Sequence, residues 1–154
     1  MTPSPAPKLK LSRDQYTVAW ISPLPVERIA ALVMLDEEHQ SLGQPLTDQN
    51  VYTLGRIGHH NIVIAGLDRA GNVPVATVVG QMTATFPNIR YGLLVGIGGG
   101  VPFGAGRDTV RLGHVVVGTP TGTDSGTIQY DYGKAMTGGF ERTARTRHVA
   151  QRPG

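Results

Sequence analysis

The apolar positions of the chain fall into short runs separated by glycine, proline and polar clusters, and their spacing switches between strand-like and helix-like periods. Tyr16-Thr17-Val18-Ala19-Trp20-Ile21 is β-branched and aromatic and is followed by Ser22-Pro23-Leu24-Pro25, which predicts a strand stopped by prolines. Pro25 suits the first turn of a helix. From Val26 onward, Ile29, Ala30, Leu32, Val33 and Met34 predict one broad apolar face lying on a sheet. The acidic end Asp36-Glu37-Glu38 opposes the helix dipole, so fraying is expected there, with a loop over 40–50. Two strand-like runs, 51–58 and 60–67, are separated by almost nothing, and Gly58-His59 is turn material, so an antiparallel hairpin is expected. Asn72 is the expected cap of a helix over 73–86, with Pro74 in its first turn and Pro87 beyond its end. Val75, Thr77, Val78 and Val79 would also suit a strand, but length and flanking signals favour the helix.

The run 91–97 is continuously apolar, the pattern of a strand buried on both faces. A second strand is expected over 108–117 after a glycine-rich turn, then a loop over 119–127 and a further strand over 128–132. This order implies an α/β fold, a mixed sheet with helices on its faces. Ligands of such sheets lie beyond the carboxyl ends of strands. Both Pro23-Leu24-Pro25 and Gly98-Gly99-Gly100 follow strand ends of that kind. Glycine lets a ligand approach the main chain closely, and successive N–H groups can form a concavity for anions or polar ring edges. A tight turn between buried strands would need the same residues. A dinucleotide fingerprint is excluded, because Val101 stands where a third glycine is required and Pro102 follows. A phosphate-loop lysine is missing as well.

Composition narrows the function classes. With 40% hydrophobic and 16% charged residues in 154, the chain has the make-up of a globular domain with a core. No apolar stretch approaches the roughly 20 residues of a membrane helix, so no membrane partner is expected. Residues 1–13 carry Pro3, Pro5 and Pro7 without a hydrophobic region, and they are read as a disordered leader and not a secretory signal. The absence of cysteine removes disulfides, thiolate catalysis and cysteine-ligated zinc and is compatible with a cytoplasmic protein; no metal site is expected. Arg142, Arg145, Arg147 and Arg152 less Glu141 account for the whole formal charge of +3, and residues 1–140 are neutral. A short arginine tail without interleaved aromatics makes a solvated end and not a nucleic-acid surface.

The ordered motifs Tyr16-Thr17-Val18-Ala19-Trp20-Ile21, Leu24-Pro25-Val26-Glu27, Tyr52-Thr53-Leu54-Gly55-Arg56-Ile57-Gly58, Val95-Gly96-Ile97-Gly98-Gly99-Gly100-Val101-Pro102 and Arg111-Leu112-Gly113 with Val115-Val116-Val117 resemble the nucleoside phosphorylase superfamily. The likeness is greatest to the nucleosidase-like domains that begin many fungal receptors, upstream of NACHT, ankyrin or tetratricopeptide modules. It spans about residues 14–136 and implies a three-layer αβα domain that cleaves the N-glycosidic bond of purine nucleosides, with phosphate or water as acceptor. Glu27 matches the glutamate that holds the attacking water in the hydrolytic branch, a task suited to a carboxylate that can take the water's proton. A surface carboxylate favoured by the helix dipole is the competing reading of Glu27. Gly98, Gly99 and Gly100 match the loop that lies against the nucleoside.

Departures from the family pattern are equally informative. No cofactor is expected; phosphate is the one candidate, and its usual ligands are absent, with Leu94 and Ile97 in the places of an arginine and a hydroxyl residue. His114 replaces the aspartate after Arg111-Leu112-Gly113, where a packed histidine is the commoner role. Nothing after Met136 resembles the methionine and glutamate pair that grips the ribose or the aspartate that protonates the leaving purine. Residues 137–154 are read as a glycine- and arginine-containing tail after the N-terminal half of the domain, and leaving-group protonation contributes roughly two to four orders of magnitude to such chemistry. Two functions follow: an N-glycosidase-type domain inactive on its own, or a non-catalytic nucleoside-sensing or interaction module of a receptor. A purine nucleoside is the expected partner, and a homo-oligomer is compatible with either.

Overall fold

The computed structural model describes residues 7–67, 71–100, 110–119, 126 and 133–142. The chain forms two compact units, Met1–Gly99 and Gly100–Gly154. The first holds the strands β1 (Val18–Ser22), β2 (Glu37–Glu38), β3 (Tyr52–Ile57), β4 (His60–Gly66) and β5 (Tyr91–Leu94), with helices α1 (Pro25–Val33) and α2 (Asn72–Thr85). Its five-stranded sheet has the order β2-β3-β4-β1-β5. β1 runs parallel to both β4 and β5, whereas β2, β3 and β4 are joined antiparallel, so the sheet is mixed and the fold is α/β as expected.

The two faces of the sheet follow from strand alternation. On one face Ala19, Ile21, Leu54, Val63 and Ala65 pack with Val78, Met82 and Phe86 from α2 and its end. On the other, Val18, Ile62 and Ile64 pack with Ala31 of α1. The sheet is thus the middle of three layers. Val63, Ile64 and Ala65 are fully buried, because β4 lies between β3 and β1 with a helix-bearing core on each side. Burial of a side chain the size of Val63 or Ile64 contributes about 1.5–3 kcal/mol.

The hairpin forms at the expected turn, with Gly58 at φ +58°, a conformation glycine adopts without a Cβ penalty. α2 runs close to its expected span, but Gly71 at φ +140° is the N-cap and Asn72 is the first helical residue, not the cap. α1 begins with Pro25 as expected and ends earlier than its acidic extension suggested. Glu37 and Glu38 form a short strand against Arg56 and Gly55 instead of a frayed helix end, because the chain finds an open ladder on β3. Gly55 is required there: a Cβ would lie 2.6 Å from the Glu37 carbonyl oxygen and 2.8 Å from Leu35.

Two expectations of burial are corrected. The apolar face proposed for α1 points largely outward, with Val26, Ile29, Val33 and Met34 between 56% and 79% exposed. Ala31 is the residue that packs on the sheet, assisted by Leu32 and by Leu35 beyond the helix. The run 91–97 is a strand only over Tyr91–Leu94, and those four residues are exposed. Among the described residues it is an edge strand, whereas its fully apolar run had predicted a strand enclosed on both faces.

Of the first residues, 7–12 run beside the sheet, with a single 3-10 turn at Arg13–Gln15. In the second unit Gly133–Met136 (β6) and Gly139–Arg142 (β7) form an antiparallel hairpin, so the boundary drawn after Met136 falls at its turn. The strand expected over 108–117 is not formed by its described part, and the strand expected over 128–132 lies outside the described residues.

Candidate functional site

β1 and β5 are parallel neighbours and deliver their carboxyl ends side by side. The Val95 N–H donates to the Ile21 carbonyl at 2.9 Å, which continues the pairing one step past β5. After Ser22, the extended backbone of Leu24 turns the chain into α1. Glu27 occupies the third helical position, from which a carboxylate can reach back to the N-cap N–H. Leu24 has no side-chain oxygen, so only this half of the reciprocal arrangement exists: the Leu24 N–H donates to Glu27 Oε2 at 2.7 Å.

The other carboxylate oxygen reaches the glycine loop. The Ile97 N–H donates to Glu27 Oε1 at 2.8 Å. Gly96 makes this approach possible, since a Cβ there would lie 2.8 Å from the same oxygen. Glu27 is buried, and both of its oxygens are held by backbone donors. Its position therefore ties the start of α1 to the segment leaving β5.

Gly98 and Gly99 follow directly, and a Cβ at either would meet nothing within 4 Å. Their missing side chains leave open space beside an exposed main chain. Gly100 differs: a Cβ there would come within 3.2 Å of Val110, and it belongs to the second unit. The structure thus brings Glu27 together with Gly96 and Ile97, next to Gly98 and Gly99. His114, expected to be packed, is exposed in a turn where its Nδ1 accepts from the Arg111 N–H at 3.3 Å.

Sequence reasoning passed over Arg28. Its side chain lies across Gly66 at the carboxyl end of β4, where a Cβ would meet Arg28 Cδ at 3.2 Å. It also passed over a buried polar cluster against α2. Asp48 Oδ2 accepts from the Tyr52 hydroxyl at 2.8 Å and from Thr85, while Oδ1 accepts from the Asn50 N–H at 3.1 Å. Burial, reinforced by the neighbouring Asp48 carboxylate, pushes the Tyr52 phenol well above the ordinary tyrosine range. A cavity of about 190 Å³ lined by Leu42, Gln44, Asn50, Tyr52 and Phe86, among others, adjoins this cluster and includes neither Glu27 nor the segment 96–99. The only signal available in the sequence was a polar cluster inside a loop, which resembles any solvated loop.

Among the described residues no group of three or more His, Asp or Glu is placed to hold a metal ion, and no helix is long and apolar enough to cross a membrane. The arrangement is an open α/β domain in which one buried carboxylate joins the helix start and the glycine segment at the carboxyl ends of the parallel strands β1 and β5. The chain is similar to a nucleotide-binding leucine-rich repeat (NLR)-like protein of Hyaloscypha variabilis, 47% identical over 134 residues. That match covers 86% of this chain and 13% of the relative, so the chain spans about an eighth of the protein it resembles. No protein-family model matches the chain, and no solved structure matches it.

Proposed function

We propose that this chain is a ligand-sensing module of an NLR-like receptor, with a purine nucleoside as the ligand of the crevice formed by α1 and the Gly98-Gly99 segment. The observation that carries the receptor reading is the 47% identity to an NLR-like protein of which the matched region is a small part. A module that small within a long chain is suited to supply recognition to a larger assembly. Nucleoside as the ligand class rests on the resemblance of the ordered motifs to the nucleoside phosphorylase superfamily and on the open main chain at Gly98 and Gly99.

Glu27 is held in place by two backbone N–H donors, one to each oxygen at 2.7 and 2.8 Å, and each oxygen keeps a further lone pair that can accept from a ligand or a water. Its part here is to fix the crevice wall. In a receptor of this kind the module works in the cytoplasm, without cofactor or metal.

Calorimetry of the full chain with adenosine, inosine and methylthioadenosine tests the reading, alongside chromatographic assay for free base. Saturable binding without base release is expected. Absence of binding to all three overturns the nucleoside assignment, and turnover by the isolated chain overturns the non-catalytic one.

A further inference from the structure

At the opposite end of β1 from the crevice, the segment before the strand is held against the chain that follows β2. The Gln40 N–H donates to the Leu9 carbonyl at 2.8 Å, Lys8 pairs with Glu38, and the Arg13 guanidinium donates to the Gly43 carbonyl. At the centre of these ties the Tyr16 hydroxyl and His39 Nδ1 are 3.0 Å apart. Tyr16 is 0% and His39 1% exposed, and the His39 N–H donates to the Leu54 carbonyl of β3 at 2.8 Å.

His39 Nε2 is buried and has no hydrogen-bond partner among the described residues. An uncharged ring tolerates this arrangement best. The Tyr16 hydroxyl can donate to Nδ1 or accept from it, so either neutral tautomer leaves one unmatched nitrogen. A second proton changes the balance. It places an N–H on both ring nitrogens, requires an acceptor at Nε2 that no described residue supplies, and turns the buried Tyr16 hydroxyl proton away from Nδ1.

The charged groups around the ring only partly offset this. Burial, the largest influence, lowers the histidine below its ordinary range; Glu37 on β2 opposes it by favouring the protonated ring, and Arg56 on β3 adds to it. Lys8 and Glu38 neutralise one another beside the segment, and Arg13 is directed to Gly43.

We infer that His39 is an acid-sensitive latch: protonation of its ring releases residues 7–16 from the segment starting at His39 while the sheet of β1, β3, β4 and β5 stays formed. The released segment carries the partners of Gln40 and Gly43, so its departure frees the loop bearing Leu42 and Gly43, one wall of the cavity beside α2. The inference is independent of the nucleoside reading, since none of these residues touches the Glu27 crevice.

Amide hydrogen exchange followed by NMR on the full chain, expressed as protection factors between about pH 8 and pH 5, tests it. The Gln40 amide is expected to lose protection by about tenfold or more across the range over which the His39 ring titrates, with the Val63 amide of β4 unchanged. His39→Gln, which keeps an acceptor for Tyr16 but cannot take up a proton, is expected to retain Gln40 protection at the acidic end. The wild-type ring titration, read from its own NMR shifts, serves if that variant does not fold. Constant Gln40 protection, loss at a pH unrelated to the His39 titration, or simultaneous loss at Val63 overturns the latch.

Discussion

The Glu27 carboxylate accepts the Ile97 N–H at 2.8 Å across a sequence separation of 70 residues, and through it the first helix of the domain holds the glycine segment that leaves its edge strand. The same side chain accepts the Leu24 N–H, so one buried residue satisfies a helix start and a loop together.

Removing that carboxylate therefore has two structural effects at once. Glu27→Ala is expected to lower stability by about 1–3 kcal/mol, the range for a lost cap combined with a buried unpaired donor. Glu27→Gln keeps one oxygen and must present its amide N–H₂ to the other donor, so an intermediate loss is expected. Denaturant midpoints rank the variants, and faster exchange of the Ile97 amide in both identifies the bond. Unchanged Ile97 exchange in Glu27→Ala would refute the coupling.

Neighbouring glycines are expected to separate structure from recognition. Gly96→Ala drives a methyl to within 2.8 Å of Glu27 Oε1 and is expected to cost about 1–3 kcal/mol through overpacking. Gly98→Ala meets nothing, so its stability is expected to stay within about 0.5 kcal/mol of the parent. Nucleoside affinity measured by calorimetry is expected to fall in Gly98→Ala despite intact folding. A variant that binds as tightly as the parent removes Gly98 from the crevice wall.

The Asp48, Tyr52 and Thr85 cluster is expected to behave as a unit. Asp48→Ala leaves two hydroxyls near an empty acceptor site and is expected to cost about 3 kcal/mol, more than Thr85→Val at about 1 kcal/mol. In a double-mutant cycle of these two changes the losses are expected to fall short of additivity by at least about 0.5 kcal/mol. Strict additivity would show that Thr85 does not depend on the carboxylate.

Stability is expected to decline at both extremes of pH for opposite reasons. The Tyr16 phenol is pushed up to about 12 by burial, and Tyr52 higher still. Their neutral forms are favoured in the folded state, so this stability is complete below the unfolded tyrosine value near 10 and is lost as pH rises through the folded values. His39 is lowered, so its contribution is complete above the unfolded histidine value near 6.5 and is lost as pH falls below it. Urea midpoints measured against pH check both limbs. Tyr16→Phe is expected to flatten the alkaline limb, and an unchanged alkaline slope would exclude Tyr16 as its source.

The local pattern of the sequence determined the elements whose cause is local. Gly58 between two apolar runs specifies a hairpin because the turn needs a left-handed residue there, and Pro25 specifies a helix start because its fixed φ suits that position. The two apolar runs on either side of that turn likewise marked β3 and β4 as strands, and the glycine run announced a strand end with open main chain. What required the tertiary structure was every property set by a distant neighbour. Whether Tyr91–Leu94 is central or peripheral depends on which strands dock beside it, and an apolar run carries no record of that. Which side of α1 meets the sheet was decided by the fit of Ala31, not by the greater hydrophobicity of Val26, Ile29 and Val33. Glu27 was legible as a helix-start carboxylate, but its second partner at Ile97 and the Tyr16–His39 pair come from chain segments that only the packed sheet brings together.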